Sequence, residues 1–329
     1  MRMKHNGLEL GRFSAALVVV LYHNVHFLDT FEFDSVALRN FFISSFTWGH
    51  LGVQVFFLFS GFVMSLNYFN LISNHNISFK KFIALRFWRL YPLHCFVLII
   101  VLLFQYLISQ RIDSYFVYQN NFEYSTLFCH LTLTQWLSVC GPFGLNAPSW
   151  SIGVEFYMYV LFFLIISFPS LRKKYSLFII TLLLILINKI YFNLFVASFS
   201  YFMIGVLYHQ YDLFKISILN FLLNFLIFIV GIILGINMFI ITGIVFLYLL
   251  ISADLGSLNS LAMKLGKLSY PLYISHFLSQ LIFYFLMNTM QLNLTLLSYA
   301  CYLALLFMIM YFVNLLDNFF ISKRGTWYG

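Results

Sequence analysis

Long apolar runs separated by short polar segments dominate the pattern of the chain. Their lengths lie near the ~20 residues that a helix needs to span the hydrocarbon core of a bilayer. We therefore predict an all-α, polytopic membrane bundle of about ten transmembrane helices. The candidate spans are 8–28, 47–68, 84–108, 149–168, 175–192, 194–211, 216–235, 237–253, 268–288 and 294–317.

The segment 109–148 interrupts this pattern, because polar residues, glycines and a proline break its apolar patches. The longest patch, 125–139, is too short for a comfortable membrane span. We expect 109–148 to form an extracytoplasmic or re-entrant segment.

Composition agrees with a membrane protein. Hydrophobic residues make up 62% of the 329 residues, charged residues 9%, and the mean hydropathy is +0.92. A soluble domain carries about 25% charged residues. No small-residue cleavage site follows the first apolar run, so we expect this helix to be retained. The expectation is one transmembrane domain over 1–329, without a fused soluble domain.

The distribution of basic residues orients the predicted helices. With a cytosolic N-terminus, fifteen of the 18 Lys and Arg residues lie on the cytosolic side, and three (Arg39, Arg111 and Lys189) lie outside. A span at 125–139 would invert every later loop. The bias predicts that both termini are cytosolic, and it explains the net charge of +8 without a nucleic-acid partner.

Cysteine and histidine spacing predicts no metal site. The four cysteines show no CxxC pattern. His23 and His26 have a spacing of three residues, but no carboxylate or third histidine nearby makes a persuasive metal site with them. Cys129 and Cys140 would pair on an oxidising side of the membrane, but we expect unpaired structural cysteines.

The first helix carries two polar residues, Arg12 and His23, which are eleven residues apart and therefore share a helix face, ~16 Å from each other. An arginine at the centre of a span costs roughly 2.5–3.5 kcal/mol on insertion scales. Arg12 is either a surface anchor paired with Glu9 or a ligand-binding cation. His23 is either a neutral contact between helices or a catalytic group.

Arg86 and Arg89 open the third helix at a spacing of three residues. Two guanidinium groups on one face can clamp phosphate oxygens, although cytosolic anchoring explains them equally well. Pro92 is expected to kink or loosen this helix.

Two later helices add polar residues to the predicted membrane interior. Glu155 follows Ser149 and Ser151 in the fourth span, and it either orients an imidazole, binds substrate or makes a structural hydrogen bond. His276 lies near the middle of the ninth span, where it either packs between helices or lines a polar cavity.

Taken together, these stretches resemble the acyltransferase-3 family of membrane acyltransferases, from residue 8 to about 317. Arg12 and His23 match its Arg, ten residues, His element, and Arg86 and Arg89 match its paired arginines. Further similar strings are GVQVFFLFSGFVMSL, SWSIGVEFYMYV and LGKLSYPLYISHF.

The resemblance implies transfer of an acyl group, by default acetyl, from cytosolic acyl-coenzyme A to a hydroxyl of an extracytoplasmic glycan such as lipopolysaccharide O-antigen. Arg86 and Arg89 would hold the phosphates of the donor, with help from Arg12. His23 would be the general base, and an acyl-histidine intermediate is the alternative to direct transfer.

The resemblance also implies supporting residues and a location. Glu155 would fix the His23 imidazole, and Ser149, Ser151 and His276 would line the substrate. The protein would lie in a bacterial cytoplasmic membrane, among lipids. Many relatives carry an extracytoplasmic hydrolase-like domain, and we expect this chain to lack one. It would then act alone, as a homo-oligomer or with a separate partner.

A transporter of an acylated donor, a lipid-linked sugar or another solute is the alternative function. Transporters often show inverted repeats, and no convincing repeat is visible in the sequence. This observation favours the enzyme.

Overall fold

The computed structural model describes residues 6–28, 49, 51–111, 124–137, 140, 145–191, 193–213, 222, 256–292 and 295–324. Within these ranges every regular element is a helix. The α-helices are α1 (Asn6–Leu28), α2 (Leu51–Ser73), α3 (Phe79–Arg111), α4 (Tyr124–Leu131), α5 (Trp150–Ser167), α6 (Lys174–Ile190), α7 (Leu194–Gln210), α8 (Asn259–Thr289) and α9 (Leu296–Arg324).

Eight of the ten predicted spans coincide with described helices, and the spans 216–235, apart from residue 222, and 237–253 lie outside the described residues. Four of the helices are long and apolar enough to cross a membrane. They are α2, α3, α5 with the turn before it, and α9. The all-helical membrane class is confirmed, whereas the number of ten spans and the cytosolic termini stay predictions.

The described residues form two compact units. The first unit contains Met1–Ala15, Leu51–Phe82 and Tyr157–Ser269, and the second contains Ala16–His50, Ile83–Phe156 and Tyr270–Gly329.

The first unit is built around the crossing of α2 and α7, which two glycines make possible. A Cβ atom at Gly61 would overlap the backbone carbonyl of Phe202, and one at Gly205 would overlap that of Leu58. Small residues let membrane helices approach closely, since lipid provides no hydrophobic force between them. The backbones of α2 and α7 are therefore in direct contact.

In the second unit, α8 and α9 attach to α3 through polar side chains. The Tyr270 hydroxyl donates to the backbone oxygen of Leu90 at 2.8 Å, and Arg89 pairs with Asp317. The helix α3 is continuous over 33 residues with Pro92 inside it. These contacts position the polar residues that the sequence singles out.

The helix α4 lies wholly within the segment 109–148, and its eight residues reach only ~12 Å along the helix axis. This length is well below the thickness of the hydrocarbon core. Cys129 of α4 and Cys140 form a disulfide, with Cα atoms 6.0 Å apart. The expectation of unpaired cysteines is therefore wrong, because the chain turns back after α4 and brings the two thiols together.

Candidate active site

Arg12 lies in the first unit and has two partners there. Its Nη1 atom is 3.6 Å from Oε2 of Glu9, one helical turn away, and its guanidinium lies over the ring of Phe56 at 5.6 Å. About a quarter of the side chain is exposed. The pairing with Glu9, one of the two alternatives from the sequence, is observed, and ligand binding by Arg12 stays a prediction.

The helix α1 carries both Arg12 and His23 without a break. His23 belongs to the second unit, where its ring faces that of His276 in α8. The ring centroids are 5.1 Å apart, and the planes are tilted by 36°. Helix packing and a polar cavity are the two alternatives for His276 from sequence analysis, and the structure places its ring beside that of His23, the predicted catalytic imidazole.

The hydrogen bonds of His276 determine which of its nitrogens carries the proton. Its Nδ1 atom lies 2.6 Å from the backbone oxygen of Tyr273, and a carbonyl oxygen can only accept a hydrogen bond. Nδ1 therefore carries the proton. Nε2 keeps a lone pair and is buried without a hydrogen-bond partner in the described part of the chain. This lone pair can accept a proton or a hydrogen bond beside His23.

Arg89 is held by a carboxylate that sequence analysis missed. Its Nη1 atom donates to both carboxylate oxygens of Asp317 at 2.8 Å, and its guanidinium lies 5.0 Å from the ring of Tyr270. Since both hydrogen bonds use Nη1, the Nη2 and Nε groups are left for another acceptor. A lone aspartate near the end of the last apolar run was the available signal for Asp317.

Arg86 lies one turn before Arg89 on α3 and is partly exposed. The two arginines thus lie on one side of α3 at a spacing of three residues, and their joint binding of phosphate stays a prediction. Asp317 balances the charge of Arg89.

Glu155 is buried in α5 and interacts electrostatically with Arg89. It also lies close enough to the Tyr270 and Tyr273 hydroxyls to act on them electrostatically. The structure thus associates Glu155 with the arginine that was predicted to bind phosphate. A contact between Glu155 and His23 stays a prediction.

Ser149 and Ser151 hold the turn that leads into α5. The Ser149 hydroxyl donates to the backbone oxygen of Asn146 at 2.7 Å. The Ser151 hydroxyl lies 2.7 Å from that of Tyr273, which itself donates to the backbone oxygen of Pro148. Both serines are buried, and their role as substrate-lining residues stays a prediction.

A second buried histidine pair, His94 and His130, lies beside this turn and was not found from the sequence. His94 Nε2 donates to the backbone oxygen of His130 at 3.0 Å, and the rings are nearly parallel. His130 Nδ1 lies 3.3 Å from the Ser149 hydroxyl. Burial, with a smaller contribution from His94, lowers the pKa of His130 to about 3. The sequence signal was weak because His94 and His130 lie 36 residues apart.

Across the described residues, no three side chains of His, Cys, Asp or Glu lie close enough to hold a metal ion.

Comparison with known proteins identifies the family. The model of an acyltransferase domain, that of the acyltransferase-3 family, matches residues 5–315 of the chain. The same comparison finds no curated protein and no solved structure that match this chain. The matched residues include every helix of the second unit that carries a predicted site residue. Because the match extends over nearly all of the 329 residues, the chain belongs to the acyltransferase-3 family and is a membrane acyltransferase.

Proposed function

We propose that this membrane acyltransferase moves an acetyl group from cytosolic acetyl-coenzyme A to a hydroxyl of an extracytoplasmic glycan. Lipopolysaccharide O-antigen or another surface polysaccharide is the acceptor class. The observation that carries the proposal is the pair formed by His23 and His276, since it provides two imidazoles in a helical membrane protein that belongs to an acyltransferase family.

The proposed chemistry uses His23 as a general base. An alcohol is a poor nucleophile at neutral pH, and a neutral imidazole has a pKa near 6.5, close to the working pH. His23 takes the hydroxyl proton while the alcohol oxygen attacks the carbonyl carbon of the thioester. When the carbon–sulfur bond breaks, the proton passes from His23 to the thiolate. The products are the acetyl ester and free coenzyme A.

Donor binding is assigned to the arginines. Arg86 and the open edge of Arg89 would bind phosphate oxygens of coenzyme A, since guanidinium groups donate to phosphate in pairs. The geometry of Asp317 supports this role. It binds Arg89 through Nη1 alone and so leaves the Nη2 and Nε groups for phosphate oxygens. Arg12 would contribute a further positive charge, reduced by its contact with Glu9.

The remaining predicted site residues receive supporting roles. Glu155 would balance the charge of Arg89 when the donor is absent, in keeping with their electrostatic interaction. Ser149 and Ser151 would shape the acceptor side by holding the turn before α5. We place the protein in the bacterial cytoplasmic membrane, where it works alone, as a homo-oligomer or with a separate extracytoplasmic partner.

The test uses purified protein in detergent with radiolabelled acetyl-coenzyme A and isolated surface glycans. Covalent label on the glycan, lost in His23→Ala while coenzyme A binding is retained, is the expected result. Passage of solute through proteoliposomes without covalent transfer would instead indicate a transporter. Activity of His23→Ala equal to that of the wild type would rule out the proposed base.

A further inference from the structure

Asn24 follows His23 directly in α1 and is held in the second unit by two donors. The Gln280 amide nitrogen donates to Asn24 Oδ1 at 2.9 Å, and the Tyr302 hydroxyl donates to the same oxygen at 2.6 Å. The side chain of Asn24 is 2% exposed. Two donors on one oxygen fix the direction of the amide, so its nitrogen points away from both of them.

The amide nitrogen of Asn24 is buried and makes no hydrogen bond to the described residues. The Tyr299 hydroxyl lies near this amide and interacts with it. An amide nitrogen has two N–H groups, so one remains available even if Tyr299 takes the other. A buried N–H group without a partner is unfavourable, so this amide is a candidate for binding a ligand acceptor.

Two residues of α8 carry polar atoms of the opposite kind. His276 Nε2 and Gln280 Oε1 are buried without hydrogen-bond partners among the described residues, and both are acceptors in the observed arrangement. Asn24 Nδ2 is a donor. The second unit therefore offers acceptors for a hydroxyl group and a donor for a carbonyl oxygen, on residues that adjoin the facing rings of His23 and His276.

We propose that Asn24 Nδ2 binds the carbonyl oxygen of the acyl group during transfer, which makes Asn24 a catalytic residue that stabilises the oxyanion. This inference rests on the proposed function, because it requires acyl transfer near His23. It assigns a role to a side chain that the base mechanism does not use.

The alcohol oxygen forms a bond to the thioester carbon as His23 takes the hydroxyl proton, and the carbonyl π electrons move to the oxygen. The Asn24 N–H donates to this negatively charged oxygen. The tetrahedral intermediate then reforms the carbonyl, the carbon–sulfur bond breaks, and the thiolate takes the proton from His23. Preorganised donors of this kind act most strongly on the developing charge.

The experiment measures steady-state acetyl transfer from acetyl-coenzyme A by the full chain in detergent. Asn24→Leu is close in size and removes the donor. Asn24→Asp keeps the oxygen that Gln280 and Tyr302 bind. Both variants are expected to lower kcat on the order of 100- to 1,000-fold, with KM for the donor changed much less. Tyr302→Phe is the matched control, since it removes a hydrogen bond from the other end of the same amide, and its loss of kcat should be less than about tenfold.

Thermal unfolding and coenzyme A binding are measured for each variant, so that misfolding is separated from lost catalysis. A folded Asn24→Leu protein with nearly wild-type kcat would overturn the proposal. Equal losses of kcat in Tyr302→Phe and Asn24→Leu would also overturn it, because they would indicate a purely structural amide. If the wild type transfers no acetyl group, the proposed function fails as well. If the wild type transfers acetyl groups and the Asn24 variants are equally active, only the Asn24 proposal fails and the proposed function stands.

Discussion

The rings of His23 in α1 and His276 in α8 face each other with centroids 5.1 Å apart. His276 donates from Nδ1 to the backbone oxygen of Tyr273 and therefore presents Nε2 without a proton. A base that gains a proton during catalysis benefits from an acceptor nearby, since the acceptor shares the new charge. We therefore expect His276 to have a positioning role in addition to helix packing.

We expect His276→Phe to lower kcat for acetyl transfer and to shift its pH profile, because the acceptor beside His23 is lost while the ring volume is kept. His23→Ala should cause the larger loss, about 100- to 10,000-fold. The measurement is kcat as a function of pH for both variants and the wild type. An unchanged pH profile in a folded His276→Phe protein would show that His276 only packs between helices.

The ion pair between Arg89 and Asp317 allows an effect on stability to be distinguished from an effect on donor binding. Breaking a buried pair costs about 3–5 kcal/mol, because one charge is left without compensation. Asp317 is 4% exposed, so we expect Asp317→Ala to lower the free energy of unfolding by an amount near this range. Arg86→Ala should weaken coenzyme A binding with a smaller effect on stability.

Thermal unfolding in detergent and titration with coenzyme A check this prediction on the same samples. Asp317→Asn serves as the milder control, since it keeps the size of the side chain and can still accept a hydrogen bond from Arg89. Equal stability of Asp317→Ala and Arg86→Ala would show that the ion pair contributes nothing measurable.

Hydropathy predicts the helices well because the membrane imposes their length and their apolar surface, as at α2 and α3. Local pairs such as Glu9 and Arg12 are also visible in the sequence, since three residues make about one turn. Long-range pairs are not. Asp317 lies 228 residues from Arg89, and only the packing of α9 against α3 brings them together. Residue spacing alone likewise could not decide whether Cys129 and Cys140 are joined.

The buried His130 predicts a dependence of stability on pH. Its pKa is lowered to about 3 in the folded protein, against about 6.5 in an unfolded chain. The folded state therefore binds fewer protons. The contribution of His130 to the free energy of unfolding is fully present above about pH 6.5 and is lost as the pH decreases towards 3. At pH 5 the free energy of unfolding is therefore about 2 kcal/mol lower than at neutral pH.

The measurement is thermal unfolding at pH 5 and pH 7 for the wild type and His130→Gln, which no longer titrates. We expect the difference between the two pH values to shrink in the variant. The wild type should show little change between pH 7 and pH 8, where His130 is neutral in both states. A variant with the full wild-type pH dependence would assign the effect to other groups.

The disulfide between Cys129 and Cys140 should stabilise the segment that carries His130. It closes a short loop, since the two cysteines are eleven residues apart, and a cross-link of this size limits the unfolded chain by about 3 kcal/mol. We expect dithiothreitol to lower the thermal stability of the wild type and to leave Cys129→Ser/Cys140→Ser unaffected. Cys301→Ser, which removes an exposed free thiol, should respond to the reductant as the wild type does.

The same disulfide tests the predicted topology. Disulfides persist in oxidising compartments, so a membrane-impermeant thiol reagent added to intact cells after reduction should label Cys129 and Cys140. Labelling only after the membrane is opened would place this segment in the cytosol and contradict the predicted topology.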